Sequence, residues 1–352
     1  MDKKPKRTTS SRKRDHVLLT VNKNVTFRQK TNGFERWEFI HNALPEINLS
    51  DVDTSTTFLG KELSLPLMIS CMTGGYKEAE KINRELAEVC EEFHLAMGVG
   101  SQRQAMEDTT YHSSFSVARK YAPSIPLVGN MGAPEVAKMT DIAPILHLAE
   151  MINADAFAVH LNPLQEFLQP EGNTNFKGVL YGIEKLVKQL PIPIIVKEIG
   201  AGISGEVALR LINAGVKYID VAGAGGTSWA GIEILRRNET KEQQEQWNPF
   251  WDWGIPTADT VHEVAGMKRQ FPSLTVIGSG GISRAIEGAK AIALGADLVA
   301  SARPMLKALM HGGKKELLSM IAQWQKEFSG IMFLLGTRSI DELKSTKRIR
   351  KI

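Results

Sequence analysis

The chain has 352 residues, of which 43% are apolar and 7% aromatic, with 30 glycines and a formal net charge of +4. That apolar fraction can bury a substantial core, and the length suits one large barrel as well as two smaller domains. No apolar run reaches the ~18 residues of a membrane span, no apolar segment follows the N-terminal charges as in a secretory signal, and two cysteines make no disulfide framework; a soluble, cytoplasmic protein is expected, with no membrane partner.

The charge is uneven. Lys3, Lys4, Lys6, Arg7, Arg12, Lys13 and Arg14 face a single acid, Asp2, over residues 1–14, so the remainder sums to −2. A nucleic-acid-binding protein spreads basic charge over its folded body. Here the surplus sits in the leader and in a second run from Lys344 to Lys351, and no nucleic-acid partner is expected. Residues 1–11 read as a disordered basic leader, and an irregular stretch follows to about residue 60.

From residue 65 short apolar runs alternate with charged, helix-like segments. The runs are LPLMISC, LAMGVG, IPLVGN, AFAVHLN, PIIVKE, YIDVAG, LTVIGSG and DLVASA; the helical stretches include 78–93, 141–152, 179–190, 204–214, 258–271 and 283–293. Alternation of this kind implies parallel strands joined by crossovers, and eight units predict a closed (β/α)8 TIM barrel, α/β in class, as a single domain over residues 12–352. An open doubly wound sheet is the alternative, weakened because MTGGYKEAE after the first strand is not the early glycine fingerprint of that fold. Thr73, Arg103, Asn130, His160, Lys197, Thr227 and Ser279 all fall at or just beyond strand C-terminal ends, where a barrel has its catalytic mouth. Residues 231–257, with a polar stretch ending in WNPFWDWG, read as a lid-like insertion over that mouth.

VIGSGGIS (276–283) ends a strand in two glycines and opens a helix, so backbone N–H groups and a helix N-terminus meet an anion there. VASARP places Ser301, Ala302 and Arg303 beside it. Paired signals after the last two strands predict a phosphate site. Lys197 closes a buried strand, where it either pairs with Glu198 or holds negative charge such as that of a reduced flavin ring.

The motifs RKRDH (12–16), MTGG (72–75), GSQR (100–103), GN (129–130), HLNPLQE (160–166), VKE (196–198), GGTSW (225–229), GSGGI (278–282) and LLGTRSIDEL (334–343) occur in this order. Together they resemble the type 2 isopentenyl-diphosphate isomerase family over roughly residues 12–344. The resemblance implies FMN as cofactor, contacted by Met72, Thr73, Gly74, Ser101, Asn130, Lys197 and Thr227, with its phosphate at Gly280, Gly281, Ser301 and Ala302. It implies a diphosphate substrate bound by Arg12, Lys13, His16, Gln102, Arg103, His160, Asn162 and Gln165, and Mg2+ held by Glu166. The residue types suit those ligands, since Arg and Lys pair with a multiply charged anion, and magnesium takes one or two protein carboxylates with phosphate and water.

The reaction implied is a 1,3-allylic proton shift between isopentenyl and dimethylallyl diphosphate. Reduced FMN would be the acid/base through N5, with NADPH only as its reductant. Gln165, Lys197 and His160 would be the catalytic residues, Gln165 as positioner or relay because a neutral amide is a poor acid. A homo-oligomer, tetramer or octamer, is also implied, with the N-terminal arm acting in its own or a neighbouring site. The rival enzyme class is an FMN-dependent 2-hydroxy-acid oxidase or dehydrogenase, whose histidine base has an arginine nearby; no arginine adjoins His160 in HLNPLQE. A purine-nucleotide dehydrogenase needs a mouth cysteine, and Cys71 is expected inside the first strand and Cys90 inside the first helix. A non-catalytic barrel would have no use for the charged mouth.

Overall fold

The computed structural model describes residues 8–237 and 239–352. Eight parallel strands close into a barrel in chain order: Leu67–Ile69, Ala96–Gly98, Leu127–Gly132, Ala156–His160, Ile194–Lys197, Tyr218–Asp220, Thr275–Ser279 and Leu298–Ser301. The last pairs with the first, Val299 opposite Leu67 and Ser301 opposite Ile69. All eight match the apolar runs of the sequence, and the open sheet is excluded by this closure.

The two-residue period of the strands sorts their side chains into two layers. Met68, Ala96, Val128, Ala156, Ala158, Ile195, Ile277, Leu298 and Ala300 fill the barrel interior. Leu67, Ile69, Met97, Leu127, Phe157, Val159, Val196, Ile219, Val276 and Val299 face the surrounding helices. A hairpin, Thr56–Phe58 with Lys61–Leu63, adds Phe58 and Leu63 to the interior layer. The predicted helices appear as Ala79–Glu92, Ala143–Met151, Val179–Gln189, Gly205–Asn213, Thr257–Gly266 and Ala285–Ala293.

The N-terminal segment differs from expectation, and two further features lie outside it. Of the leader expected to be disordered, residues 1–7 lie outside the described residues; Thr8 caps a helix, Thr9–Asn22, by accepting from the Ser11 N–H. The segment before residue 60 is therefore not irregular throughout, and the boundary placed after residue 11 falls inside a helix. The basic run after Lys344 is folded too: Ile349–Lys351 pairs antiparallel with Trp37–Phe39, and Arg350 meets Glu38 at 3.0 Å. Finally, a long segment, Arg303–Leu335, follows the last strand as two helices kinked at Gly313, whose φ of 69° breaks the helix. No helix among the described residues is long and apolar enough to cross a membrane.

Candidate active site

Two adjoining cavities open at the strand C-terminal ends. They share His16, Cys71, Met72, Lys197, Ile199 and Trp229 in their walls. The larger, about 290 Å3, is bounded by Thr227, Gly280, Gly281, Ser301 and Ala302. The smaller, about 130 Å3, is bounded by Arg12, Lys13, Thr73, Gly74, Ser101, Arg103, Asn130, His160, Asn162, Gln165 and Glu166. Every residue expected at the site from the sequence lines one cavity or both, with one exception. Gln102 is 0% exposed and sits behind the wall, donating to Leu148 O at 2.8 Å and accepting from the Asn130 N–H at 3.0 Å. Its side chain holds the loop and lines neither cavity.

The anion end of the larger cavity is made of backbone. A Cβ on Gly226 would lie 2.5 Å from Gly281 N, so two loops stack there with no room for side chains. Among the described residues, neither the Gly281 nor the Ala302 N–H has a protein acceptor, which leaves both for a bound anion. At the expected helix N-terminus, before Ala285–Ala293, the Glu287 carboxylate already accepts from the Ser283 and Arg284 N–H groups at 2.8 and 3.0 Å. The helix pointing at the cavity is instead the one starting at Arg303. The Arg303 guanidinium itself turns away, to Thr20 O and Lys23 O at 2.8 Å each, and caps the end of the N-terminal helix.

That N-terminal helix roofs both cavities. Residues 12, 13, 16, 17 and 20 recur at helical spacing; Arg12, Lys13 and His16 reach the smaller cavity, and His16, Val17 and Thr20 the larger. Lys13 Nζ donates to Gly74 O at 3.0 Å and to Ser101 O. Burial first, then the nearby Arg12 charge, lowers its pKa to about 7. Arg12 is lowered by burial and by Arg103, and Arg103 is held by Glu135 at 3.0 Å. Three cations thus crowd one small space, an arrangement that awaits a polyanion.

His160 Nδ1 lies 2.8 Å from Asn130 Oδ1. An amide oxygen only accepts, so Nδ1 carries the proton and Nε2 is the free acceptor. Burial, with Lys197 and Lys13 nearby, pushes its pKa down to about 3, and the ring is neutral. Glu166 accepts from Asn162 Nδ2 at 3.0 Å and from the Asn173 N–H at 2.5 Å. Asn162 Oδ1 is buried without a partner. Lys197 Nζ donates to the backbone oxygen of Glu198 at 2.6 Å and lies 3.6 Å from Asp220 Oδ2. The Glu198 carboxylate is not its partner: it accepts from the N–H groups of Ile199 and Gly200 at 2.6 Å and of Ala201 at 2.5 Å.

Sequence reasoning missed a buried charge cluster on the helix Trp229–Arg236. Glu233 accepts from Gln165 Nε2 at 3.1 Å and lies 2.8 Å from His16 Nε2. It pairs with Arg236, which also meets Glu171 at 2.7 Å. Burial pushes the Glu233 carboxyl up, but its hydrogen bonds and the Arg236 charge outweigh this and leave it lowered. His16 is held down by burial, so Arg236 supplies the cation. A glutamate and an arginine three apart inside GIEILRR were the available signal, hidden because the segment read as part of a lid.

Two further expectations are corrected. The 231–257 insertion lines neither large cavity among its described residues; it buttresses the chain after the N-terminal helix, Trp251 Nε1 donating to Thr26 O at 2.9 Å and Asp252 accepting from the Arg28 N–H at 2.7 Å. Asn238, within it, lies outside the described residues. Cys71 is not inside the first strand but beyond its end, in the wall shared by both cavities. Burial raises its thiol to about 11, so it is protonated and no nucleophile. The fold also brings Arg103 into the cavity of His160, so the lack of a neighbouring arginine in sequence does not by itself separate isomerase from oxidase.

The fold is a (β/α)8 barrel whose mouth carries two adjoining cavities. The FMN-dependent dehydrogenase family model matches residues 6–124 and 148–350. Among solved structures, a lactate oxidase of Pediococcus acidilactici is 18% identical with a TM-score of 0.70, covering 96% of this chain and 90% of that one. A flavocytochrome b2 is 20% identical with a TM-score of 0.71, covering 96% and 82%. At these identities they show the fold alone. An isopentenyl-diphosphate delta-isomerase of Pelodictyon phaeoclathratiforme is 46% identical over 97% of this chain and 98% of its own. Those of Chlorobium luteolum (46%, covering 97% and 96%) and Nostoc sp. (44%, covering 98% and 97%) match equally fully. The chain belongs to the isopentenyl-diphosphate delta-isomerase family, in its FMN-dependent form.

Proposed function

We propose that this enzyme interconverts isopentenyl and dimethylallyl diphosphate by a 1,3-allylic proton shift with reduced FMN in the larger cavity, and that NADPH serves only to reduce the flavin. The carrying observation is the pair of cavities that share Lys197, Met72 and Trp229: one ends in an all-backbone anion cradle, the other in three crowded cations. FMN fits the first through the free N–H groups of Gly281 and Ala302 at its phosphate end, with Lys197 at its ring. In its reduced state it supplies an electron-rich acid/base next to the substrate.

The chain's own residues do the rest. Arg12, Lys13 and Arg103 bind the diphosphate, and neutral His160 lines the same cavity beside them. Glu166 and the unpartnered Asn162 Oδ1 offer the hard oxygens that Mg2+ takes while the diphosphate completes its shell. Among the described residues no group of three or more His, Cys, Asp or Glu is placed to hold a metal ion alone, which suits an ion that arrives with its substrate. Gln165, fixed by Glu233 and Asn162, presents its amide to the smaller cavity and orients the alkene. The N-terminal helix and Trp229 exclude water from the shared wall. A homo-oligomer is part of the same proposal.

The test is anaerobic incubation with isopentenyl diphosphate, FMN, Mg2+ and NADPH, followed by product analysis. Dimethylallyl diphosphate formed with sub-stoichiometric NADPH consumption is the expected result. Stoichiometric NADPH oxidation, or turnover of a 2-hydroxy acid instead, would refute the reading.

A further inference from the structure

Behind Lys197 stands a carboxylate that touches neither site cavity. Asp220 ends the sixth barrel strand, directly across from Lys197 in the register of the fifth and sixth strands, and is 0% exposed. Its two oxygens differ. Oδ1 accepts from Ser279 Oγ and from the Ala222 N–H at 3.3 Å. Oδ2 is buried with no hydrogen bond and lies 3.6 Å from Lys197 Nζ.

A buried carboxylate oxygen without a donor persists only where a nearby charge compensates it. Lys197 is that charge, because the other titratable groups facing this ammonium are all accounted for. The Glu198 carboxylate makes no ion pair with this ammonium among the described residues, and its Oε2 accepts from three backbone N–H groups. The ring of His160 is neutral and the thiol of Cys71 is protonated. Of the three ammonium donors, one goes to Glu198 O and one is drawn toward Asp220. The third is left for the larger cavity, whose wall Lys197 forms.

We propose that Asp220 is a positioning residue, which holds the Lys197 ammonium against the strand ends and cancels its charge, so that a flavin ring in the larger cavity meets a single donor of a neutral pair and not a net cation. This rests on the FMN reading above. The consequence is electrostatic: a net cation beside the ring favours the reduced, more negative flavin and raises its potential, whereas a neutral pair keeps the potential low and the reduced ring electron-rich.

The experiment measures the midpoint potential and FMN affinity of the holoenzyme and of Asp220→Asn, Lys197→Met and the double variant, as a double-mutant cycle. Asp220→Asn keeps the shape and removes the anion, and raises the potential when Lys197 is present. In the Lys197→Met background a lone buried carboxylate takes up a proton and is already neutral, so Asp220→Asn there shifts the potential by less than a third as much. Equal shifts in the two backgrounds mean that Asp220 acts by packing or directly on the ring, and overturn the proposal, as does no shift in either. Should Asp220→Asn fail to fold, the unpaired cation is the predicted cause and the double variant recovers folding and FMN; a double variant that folds no better also overturns it. A wild-type protein that binds no FMN is seen before any variant is made and overturns the functional reading itself.

Discussion

Gly226→Ala is the sharpest test of the anion cradle. Gly226 has no positive φ, so alanine brings no backbone strain there and acts only through its added carbon. That carbon would lie 2.5 Å from Gly281 N and 2.7 Å from Gly281 Cα. Both partners are backbone, so neither can rotate away, and the two loops must part by about 1 Å to reach ordinary contact. The Gly281 N–H then no longer meets a phosphate positioned by Ala302. One hydrogen bond to a charged group contributes roughly 1.5–3 kcal/mol, or about tenfold to a hundredfold in affinity. The assay is quenching of flavin fluorescence on titration with FMN and, in parallel, with riboflavin, which lacks the phosphate. FMN affinity falls by that factor while riboflavin affinity stays within about twofold. Equal losses for both ligands would place the phosphate elsewhere and show that the substitution merely disturbs the wall; unchanged FMN binding would refute the cradle outright.

Further outcomes are expected. Glu166→Gln keeps FMN bound but loses most activity and its dependence on magnesium, read by a metal titration of the initial rate; an unchanged magnesium response would remove Glu166 from the metal site. Arg12→Ala and Lys13→Ala raise the substrate KM with FMN affinity unchanged, each by about tenfold to a hundredfold, whereas deletion of residues 2–7 leaves the kinetics alone; the deletion stops there because Thr8 caps the helix and Thr9 Oγ1 bonds Glu107 at 2.9 Å. With its pKa lowered to about 7, Lys13 is cationic below that pH and loses its charge above it, so kcat/KM falls as pH rises through about 7, and in Lys13→Ala this limb disappears. Glu233→Leu strips Arg236 of one of its two partners and lowers stability by about 3–5 kcal/mol, measured by urea unfolding; a loss below 1 kcal/mol would mean that Glu171 suffices.

The barrel and most of its mouth are legible in the amino-acid sequence. The eight apolar runs became the eight barrel strands because a strand buried on both faces needs only local apolar β-forming sequence, and the polar residues at the run ends reached the mouth because parallel strands all end on the same side. The helix over Thr9–Asn22 escaped detection because its inward face is mixed: Val17 and Val21 are buried in the core, while the half-buried Arg12, Lys13 and His16 turn to the cavities, and hydrophobic periodicity has little signal for such a face.

Other assignments needed tertiary distances. Gln102 and Arg103 are neighbours in GSQR, yet one side chain points behind the wall and the other into the cavity; they are the cap and first residue of a short helix, Arg103–Glu107, where successive side chains turn by about 100°, and sequence does not set where such a helix begins to that precision. Which helix N-terminus meets the anion was decided by the Glu287 side chain filling one of them. The pairings of Asp220 with Lys197 and of Glu233 with Gln165 join residues 23 and 68 positions apart. The chain's composition allows those charges to be buried, but only closure of the barrel brings them within reach of one another, and a buried charge is stable only where a partner has been placed.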